Sequence, residues 1–252
     1  RFRYHLARKA LVHLKIPERR DSLQAPPLPN PAFAPLSIML CRLGEPPPTL
    51  ASRLEVFDDG DACFAAMERA IAEARQQIHL EFYIWEPDGV GQRLRNLLAA
   101  KAAAGVEVRL LVDSIGSSKL DNAFFAPIRA AGGHCAVFNI IRFARWRPPG
   151  HFRTHRKILV VDGQIGFVGG MNISDRHCPS IHRKRAWRDL HLRLDGPPVR
   201  WLQLIFIENW EYTTRASPPP AVSFPPLPEP DQGTAPWVQV ISSGPDSDTH
   251  AI

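Results

Sequence analysis

Residues 155–172 read HRKILVVDGQIGFVGGMN, and this stretch decides which fold and which chemistry we expect of the chain. His155 and Lys157 stand two positions apart in a run that favours a β-strand. Because side chains alternate between the two faces of a strand, both project to the same side, about 7 Å apart along it. An imidazole and an ammonium group on one face can hold a phosphate between them.

Four further residues of this stretch stand at fixed spacing, and the chemistry of each predicts a role. Asn172, like Lys157, supplies a donor to phosphate oxygens, where negative charge builds up in a transition state. Gly169 and Gly170 carry no side chain, which lets the backbone come close to a ligand. Asp162 begins an Asp-Gly pair typical of a hairpin turn, away from the phosphate face, so we interpret it as a structural and orienting residue.

An imidazole can act as a nucleophile or as a general acid, and a carboxylate is needed to fix its tautomer and orientation. If His155 attacks phosphorus, the product is a phosphohistidine, and one difficult displacement becomes two easier ones. Two acids are candidates for orienting His155: Glu81 at the centre of a predicted strand, and Asp189 in the sequence Trp187-Arg188-Asp189. Each could equally be a structural acid with satisfied hydrogen bonds.

The charge of the chain favours an anionic partner. Its 252 residues carry a formal net charge of +6, and no Asp or Glu occurs in residues 122–161 or 176–188, which flank the motif. We select Arg147 and Arg153 from the first of these basic runs as candidate substrate-binding residues. A basic run is usually no more than a solvated face. Here the runs bracket a candidate phosphate site, which favours a phospholipid surface, nucleic acid or a phosphorylated small molecule.

The cysteines and the apolar runs narrow the setting of the protein. The four cysteines are scattered without a C-x-x-C pair, which predicts reduced thiols in the cytoplasm and no zinc site. We expect no other metal site and no cofactor. The longest apolar run is far short of the ~20 residues that a transmembrane helix needs. No signal peptide is visible at Arg1, and the chain lacks an initiator Met, so its true N-terminus could lie further upstream.

Composition divides the chain into four parts. Residues 1–50 form a basic and Pro-rich N-terminal segment, with a candidate helix in residues 1–20, and residues 51–215 form the folded domain. There, strands alternate with helices, which predicts an α/β fold with a mixed, largely parallel sheet. Residues 216–236 hold eight prolines and form a linker. Residues 238–244 resemble residues 54–60, so we predict that residues 237–252 start a second, missing half.

The motif resembles the H-x-K-x4-D-x6-G-(G/S)-x-N signature of the phospholipase D superfamily. Residues 80–85, 104–113 and 187–191 extend the likeness to the bacterial cardiolipin synthases, from about residue 54 to residue 210. This resemblance implies an αβαβα sandwich built from two motif-bearing halves, with the active site at their junction. It also implies a phosphatidyl transfer that proceeds through a phosphohistidine, without a metal, to the free hydroxyl of phosphatidylglycerol.

The complete enzymes carry two such motifs, whereas this chain carries one. The first hypothesis is therefore the N-terminal half of a cardiolipin synthase, whose partners are phosphatidylglycerol, the membrane surface and a second half in the same chain or a second copy. It implies a peripheral protein on the cytoplasmic side of a bacterial inner membrane. The second hypothesis is a homodimeric phosphodiesterase that acts on nucleic acid. Against it, the sequence matches the signatures of the lipid synthases better. The third is a non-catalytic module that binds anionic membranes.

Overall fold

The computed structural model describes residues 28, 30–43, 45–138, 153–216, 230–231 and 233–242. The helix predicted in residues 1–20, the predicted substrate-binding residue Arg147 and most of the linker lie outside these residues. The helices are α1 (Ala34–Arg42), α2 (Gly60–Glu73), α3 (Gly89–Ala103), α4 (Asn122–Ala130), α5 (Pro179–His182) and α6 (Pro198–Thr214). Short 3-10 turns occur at Pro31–Phe33, Asp175–His177 and Arg183–Arg185.

The strands are β1 (Thr49–Leu50), β2 (Arg53–Phe57), β3 (Gln77–Phe82), β4 (Glu107–Asp113), β5 (His134–Phe138), β6 (Lys157–Val161), β7 (Ile165–Gly169), β8 (His191–Asp195) and β9 (Trp237–Val238). Seven of them form one sheet in the order β2-β8-β7-β6-β3-β4-β5. The mixed sheet predicted from the sequence is confirmed. Parallel pairing does not predominate, however, since β3-β4 and β4-β5 are parallel and the other four pairs are antiparallel.

The connections between the strands explain why some pairs are parallel and others antiparallel. Parallel neighbours need a crossover, and here α3 joins β3 to β4 while α4 joins β4 to β5. From β6 onward the chain turns back on itself, first through the Asp162-Gly163 turn. The Gln164 N–H donates to the Val161 carbonyl at 3.0 Å, and the two central residues of this turn, Asp162 and Gly163, have positive φ, 51° and 66°, as a type I′ turn requires. The predicted hairpin is therefore confirmed.

Helices cover both faces of the sheet, which confirms the α/β class. On one face the side chains of Ile78, Leu80 and Phe82 are at most 1% exposed and pack with α2, α3 and α4. On the other face α6 packs through two clusters, one around Leu111 and Phe206 and the other around Val160, Val199 and Leu202. Because successive side chains of β3 point to opposite faces of the sheet, one set packs against α2, α3 and α4 and the other set points to the face covered by α6.

The ends of α3 follow from local sequence. Asp88 caps the helix by accepting a hydrogen bond from the backbone N–H of Gly91. Gly105 follows the helix with a φ of 86°, a left-handed conformation that glycine adopts without strain. The sequence predicts both helix ends, since an aspartate at the N-cap and a glycine just after the last turn are the residue types typical of these positions, and both predictions are confirmed.

The segment beyond the linker packs on the folded domain. Strand β9 pairs antiparallel with β1, and Val238 and Val240 pack against the cluster beneath α6. Gln239 Nε2 donates a hydrogen bond of 2.9 Å to the carbonyl of Pro46. Residues 237–242 are thus attached to this domain by β1 and by the lead-in before residue 51, while their assignment to the start of a second half stays a prediction. No helix in the described ranges is long and apolar enough to cross a membrane.

Candidate active site

One edge of the sheet collects the residues of the motif. Strands β3, β4 and β7 run in one direction, and β6 and β8 run in the opposite direction. The chain therefore enters β6 and β8 at the same edge of the sheet at which the other three strands end. Lys157 lies opposite Phe82 in the β3–β6 register, and His191 lies opposite Gly169 in the β7–β8 register. Residues that are far apart in sequence therefore meet around the start of β6.

His155 and Lys157 are in direct contact at this edge. Lys157 Nζ donates a hydrogen bond of 2.8 Å to the His155 carbonyl and lies 3.1 Å from His155 Nδ1. Strand β6 begins at Lys157, so His155 precedes it and its ring can fold back over the ammonium group instead of standing one strand repeat away. Lys157 is 4% exposed, whereas His155 is exposed. A buried cation thus supports a histidine that solvent and substrate can reach.

Burial and charge set the protonation of this pair. Burial lowers the pKa of Lys157 to about 8, although the Asp189 carboxylate acts in the opposite direction. The pKa of His155 is also lowered, first by burial and then by Lys157, while Asp113 acts to raise it. The Tyr83 ring packs on the imidazole with a centroid separation of 4.7 Å. Near pH 7 the imidazole is therefore neutral and the ammonium is largely charged.

Asn172 is fixed at the same edge. Its Oδ1 accepts a hydrogen bond of 3.0 Å from the Ile84 N–H, and its own backbone N–H donates to His177 Nε2 at 3.2 Å. The residue is 8% exposed, and the loop that carries it follows directly from β7. The strand end and the buried imidazole of His177 together orient Asn172.

The two glycines are required by protein packing. A Cβ placed on Gly169 would lie 2.4 Å from the Leu190 carbonyl oxygen, and one on Gly170 would lie 1.9 Å from Asp189 Oδ1. The close approach predicted for a ligand is thus occupied here by the chain leading into β8. A consequence is that Asp189 lies against the end of β7, on the Lys157 side of the site.

The two acids predicted to orient His155 are placed differently. Asp189 is exposed, and its Oδ1 accepts a hydrogen bond from the Leu190 N–H. Glu81 is fully buried on the α6 face, where its carboxylate accepts hydrogen bonds of 2.7 and 3.0 Å from Asn209 Nδ2 and another from the Thr154 hydroxyl. The structure therefore does not bring Glu81 to the imidazole, and this carboxylate holds the residue that precedes His155.

Asp162 lies at the opposite end of β6 from His155. Its carboxylate accepts hydrogen bonds of 2.9, 2.8 and 2.9 Å from the backbone N–H groups of Arg75, Gln76 and Gln77. Three donors on one carboxylate join the β6–β7 turn to the start of β3. This placement fits the structural role assigned to Asp162.

Arg153 lies on the same side of the site as the end of β4. Its Nη1 donates a hydrogen bond of 2.9 Å to the Ser114 hydroxyl, and its side chain is half-buried. Arg153 is thus held beside the end of β4, and its assignment as a substrate-binding residue stays a prediction.

Sequence reasoning missed a carboxylate, Asp113, and a buried imidazole, His191. Asp113 ends β4 and is fully buried; its Oδ1 accepts from the Ile115 and Gly116 N–H groups, while Oδ2 has no partner within the described residues. The fully buried ring of His191 is held neutral because burial lowers its pKa to about 3. The signal for Asp113 was present, since polar residues at the ends of adjacent parallel strands meet at one edge.

No group of three or more His, Cys, Asp or Glu in the described parts of the chain is arranged to hold a metal ion. What the residues at this edge can do chemically is bind a phosphoryl group. A neutral, exposed imidazole stands beside a buried ammonium and a fixed amide, and three polar groups that converge in this way suit a phosphate and its developing charge.

Comparison with known proteins agrees with this chemistry. Residues 67–189 match the family described as "Cardiolipin synthase, PLD-like domain". The cardiolipin synthase of Geobacillus thermodenitrificans is 42% identical over 224 residues, which cover 88% of this chain and 44% of that protein. The major cardiolipin synthase ClsA of Bacillus subtilis is 37% identical over 201 residues, which cover 79% of this chain and 41% of that protein.

The chain therefore spans less than half the length of these curated relatives. Among solved structures, a phospholipase D family member, Nuc from Salmonella typhimurium, aligns with a TM-score of 0.46 at 15% identity, covering 66% of this chain and 96% of that one. The match of the family to the part of the chain that holds α3, β4, β6, β7 and the candidate site gives the identity of this region. Residues 67–189 belong to the phospholipase D-like domain family of the cardiolipin synthases.

Proposed function

We propose that this chain provides one half of the active site of a phosphatidyltransferase of the cardiolipin synthase type. The observation that carries the proposal is the contact between exposed His155 and buried Lys157, whose Nδ1 and Nζ atoms are 3.1 Å apart. Similarity to cardiolipin synthases over most of the chain supports the lipid substrate.

In the first step, a ring nitrogen of His155 attacks the phosphorus of a phosphatidylglycerol. A P–N bond forms, the P–O bond to glycerol breaks, and the departing oxygen takes up a proton. In the second step, the free hydroxyl of another phosphatidylglycerol attacks the same phosphorus and loses its proton, the P–N bond breaks, and cardiolipin is released. Attack requires a neutral imidazole, and burial together with Lys157 lowers the pKa of His155 in the required direction.

Lys157 and Asn172 stabilise the charge on the phosphoryl oxygens. Lys157 is held in place by the His155 carbonyl, so its remaining protons can point to a phosphate. Asn172 uses its Oδ1 to accept from Ile84, which leaves its amide NH2 as a donor for the substrate. Donors that are fixed before the substrate arrives stabilise a transition state without reorganisation.

The second half of the site comes from outside the described residues. The departing glycerol oxygen needs a general acid on the far side of phosphorus from His155, and His191 cannot supply the proton because its ring is fully buried. The curated relatives are more than twice as long as their matched parts, so the favoured source is a second motif-bearing half in the same polypeptide. A second copy of this chain is the other possible source. With a phospholipid as substrate, we place the protein at the periphery of the bacterial inner membrane, on its cytoplasmic side.

Fusion to a complementary half tests this proposal. We would join the chain to the remaining C-terminal part of the Geobacillus thermodenitrificans cardiolipin synthase and measure cardiolipin formation from phosphatidylglycerol vesicles by mass spectrometry. The fusion is expected to form cardiolipin, whereas the chain alone is expected to form little or none.

Two histidine variants serve as matched controls in the fusion. His155→Ala is expected to abolish cardiolipin formation, and His134→Ala, which changes an exposed histidine on β5, is expected to leave it unchanged. Full activity of the His155→Ala fusion would overturn the proposal. So would hydrolysis of DNA by a homodimer of the chain with no transfer between lipids.

A further inference from the structure

A projecting loop stands beside the candidate site and is not used by the chemistry above. We give the name 180–190 loop to residues 180–190, which comprise the end of α5, the 3-10 turn Arg183–Arg185 and the segment that leads into β8. All of these residues except Ala186 are exposed. Three of its large apolar side chains face solvent: Ile181 is 49% exposed, Trp187 46% and Leu190 58%. Apolar side chains of this size usually contribute to a core, so three of them within one loop indicate a surface that binds something apolar.

The same loop is strongly basic. Arg183, Lys184, Arg185 and Arg188 lie between the apolar positions, and all four are exposed. Asp189 is the single acid in the loop sequence and lies against Gly170 at the candidate site. The exposed part of the loop therefore combines apolar side chains with an excess of positive charge.

Contacts at both ends fix the loop to the domain. At its start, the Ser180 N–H and hydroxyl donate hydrogen bonds of 2.8 and 2.6 Å to the two oxygens of Asp61 on α2. Near its end, the Trp187 N–H donates to the Arg176 carbonyl at 2.7 Å, and the Arg176 guanidinium lies 4.9 Å from the Trp187 ring centroid. The His177 ring packs edge-on against the same indole at 5.6 Å. The exposed apolar groups are thus presented by an anchored loop.

The position of the loop links it to the chemistry. Its last residues lead into β8, whose first residue lies opposite Gly169 at the end of β7. The Asp189 carboxylate is close enough to raise the pKa of Lys157 against the effect of burial. A surface that binds the 180–190 loop would therefore lie next to His155 and Lys157.

We propose that the 180–190 loop docks on an anionic phospholipid bilayer and places the candidate site at the headgroup layer. Basic side chains attract the anionic headgroups, while Ile181, Trp187 and Leu190 enter the apolar boundary beneath them. Nucleic acid would use the basic side chains but would gain little from an exposed isoleucine. The choice of a phospholipid as the partner rests on the proposed function, but docking itself requires no turnover.

Vesicle sedimentation of the 252-residue chain tests this docking. The vesicles contain phosphatidylcholine with or without phosphatidylglycerol, and binding is measured at several salt concentrations. Lys184→Gln/Arg185→Gln removes two loop charges and is expected to weaken binding to the anionic vesicles about thirty-fold. The matched control, Arg69→Gln/Arg75→Gln, removes two exposed charges on and after α2 and is expected to change binding less than two-fold.

The apolar contribution has its own pair of variants. Ile181→Ser is expected to weaken binding to anionic vesicles about ten-fold, because a large exposed side chain no longer enters the bilayer. Leu54→Ser, on the edge strand β2 and 41% exposed, is the control and is expected to have no effect. Circular dichroism of each variant verifies that the fold is retained.

Each outcome decides the docking proposal. Equal losses for the loop pair and the control pair, or unchanged binding for Ile181→Ser, would overturn it. Binding to duplex DNA that depends on Lys184 and Arg185 but not on Ile181 would assign the surface to nucleic acid instead. His155→Ala is expected to bind vesicles as tightly as the unmodified chain. Vesicle binding without lipid transfer would therefore count against the proposed chemistry alone. Lipid transfer without loop-dependent vesicle binding would count against this inference alone.

Discussion

Replacing Asp162 tests whether the acid of the motif maintains the fold or takes part in the chemistry. Its carboxylate accepts exposed backbone hydrogen bonds from Arg75 and Gln76 and a partly buried one from Gln77. We assign about 1 kcal/mol to each exposed bond and about 2 kcal/mol to the partly buried one. Alanine at the φ of 51° found here adds about 1 kcal/mol of strain. Asp162→Ala should therefore lower the free energy of unfolding by about 5 kcal/mol.

Asp162→Asn is the graded companion of this variant. Asparagine tolerates the left-handed conformation, and its one amide oxygen can still accept from Gln76 and Gln77, so the expected loss is about 1–2 kcal/mol. For a domain of this size these losses correspond to decreases in Tm of about 15 °C and about 5 °C. Tryptophan fluorescence during urea and thermal unfolding measures both. Asp58→Ala, which changes an exposed aspartate before α2, is the control and should lie within about 0.5 kcal/mol of the unmodified chain.

The active fusion separates the two roles of Asp162. At a temperature at which the Asp162→Asn fusion is folded, its cardiolipin formation should stay within about three-fold of the unmodified fusion, because the carboxylate lies at the far end of β6 from His155. A loss of activity as large as that of His155→Ala, with the Tm unchanged, would refute this reasoning.

Three further predictions concern residues around the sheet edge. Burial lowers the pKa of Lys157 to about 8, so between this pH and the ordinary lysine pKa the unfolded chain binds more protons and the stability of the fold rises with pH. Lys157→Met should therefore raise the free energy of unfolding by about 2–3 kcal/mol at pH 7, and the difference from the unmodified chain should shrink toward pH 10 in unfolding scans. A difference that stays constant with pH would contradict this. Glu81→Ala should lower the free energy of unfolding by about 3 kcal/mol. Because Glu81 and Asn209 share two hydrogen bonds, the double variant with Asn209→Ala should lose at least about 1 kcal/mol less than the sum of the two single variants, and additive losses would refute the pairing. Gly169→Ala should lower the free energy of unfolding by about 2–3 kcal/mol, measured by urea titration, because the new Cβ would lie 2.4 Å from the Leu190 carbonyl oxygen. Gly233→Ala, whose Cβ would meet no atom nearer than 3.5 Å, is the control and should leave the free energy of unfolding unchanged.

Local rules account for the parts of this fold that the sequence predicts well. An aspartate before a helix, a glycine after it and an Asp-Gly pair between apolar runs each specify a conformation through their nearest neighbours. Asp88, Gly105 and the Asp162-Gly163 turn are correctly predicted for this reason. The spacing of His155, Lys157 and Asn172 likewise locates the candidate site, since β6 and β7 are adjacent in sequence and in the sheet.

The remaining features depend on strand pairing across long sequence separations. Alternation along β3 shows that Glu81 and Phe82 face opposite ways, but the register that sets Lys157 opposite Phe82 is needed to learn that Glu81 points away from the site. Asp113 reaches the vicinity of His155 because β3 and β4 pair in parallel through α3. The antiparallel majority of the sheet follows from the way β8 joins β7 and β2, which no local pattern reveals.

Mass spectrometry of the alkali-quenched fusion, during turnover of phosphatidylglycerol, tests most directly whether His155 is the nucleophile. We expect a phosphatidyl adduct on the peptide that contains His155, lost in His155→Ala and retained in His134→Ala. With less than one equivalent of phosphatidylglycerol per fusion, the adduct should persist, because no further lipid hydroxyl is then left for the second displacement. Steady formation of cardiolipin with no adduct on His155, or with the adduct on a histidine of the complementary half, would contradict the role assigned to it.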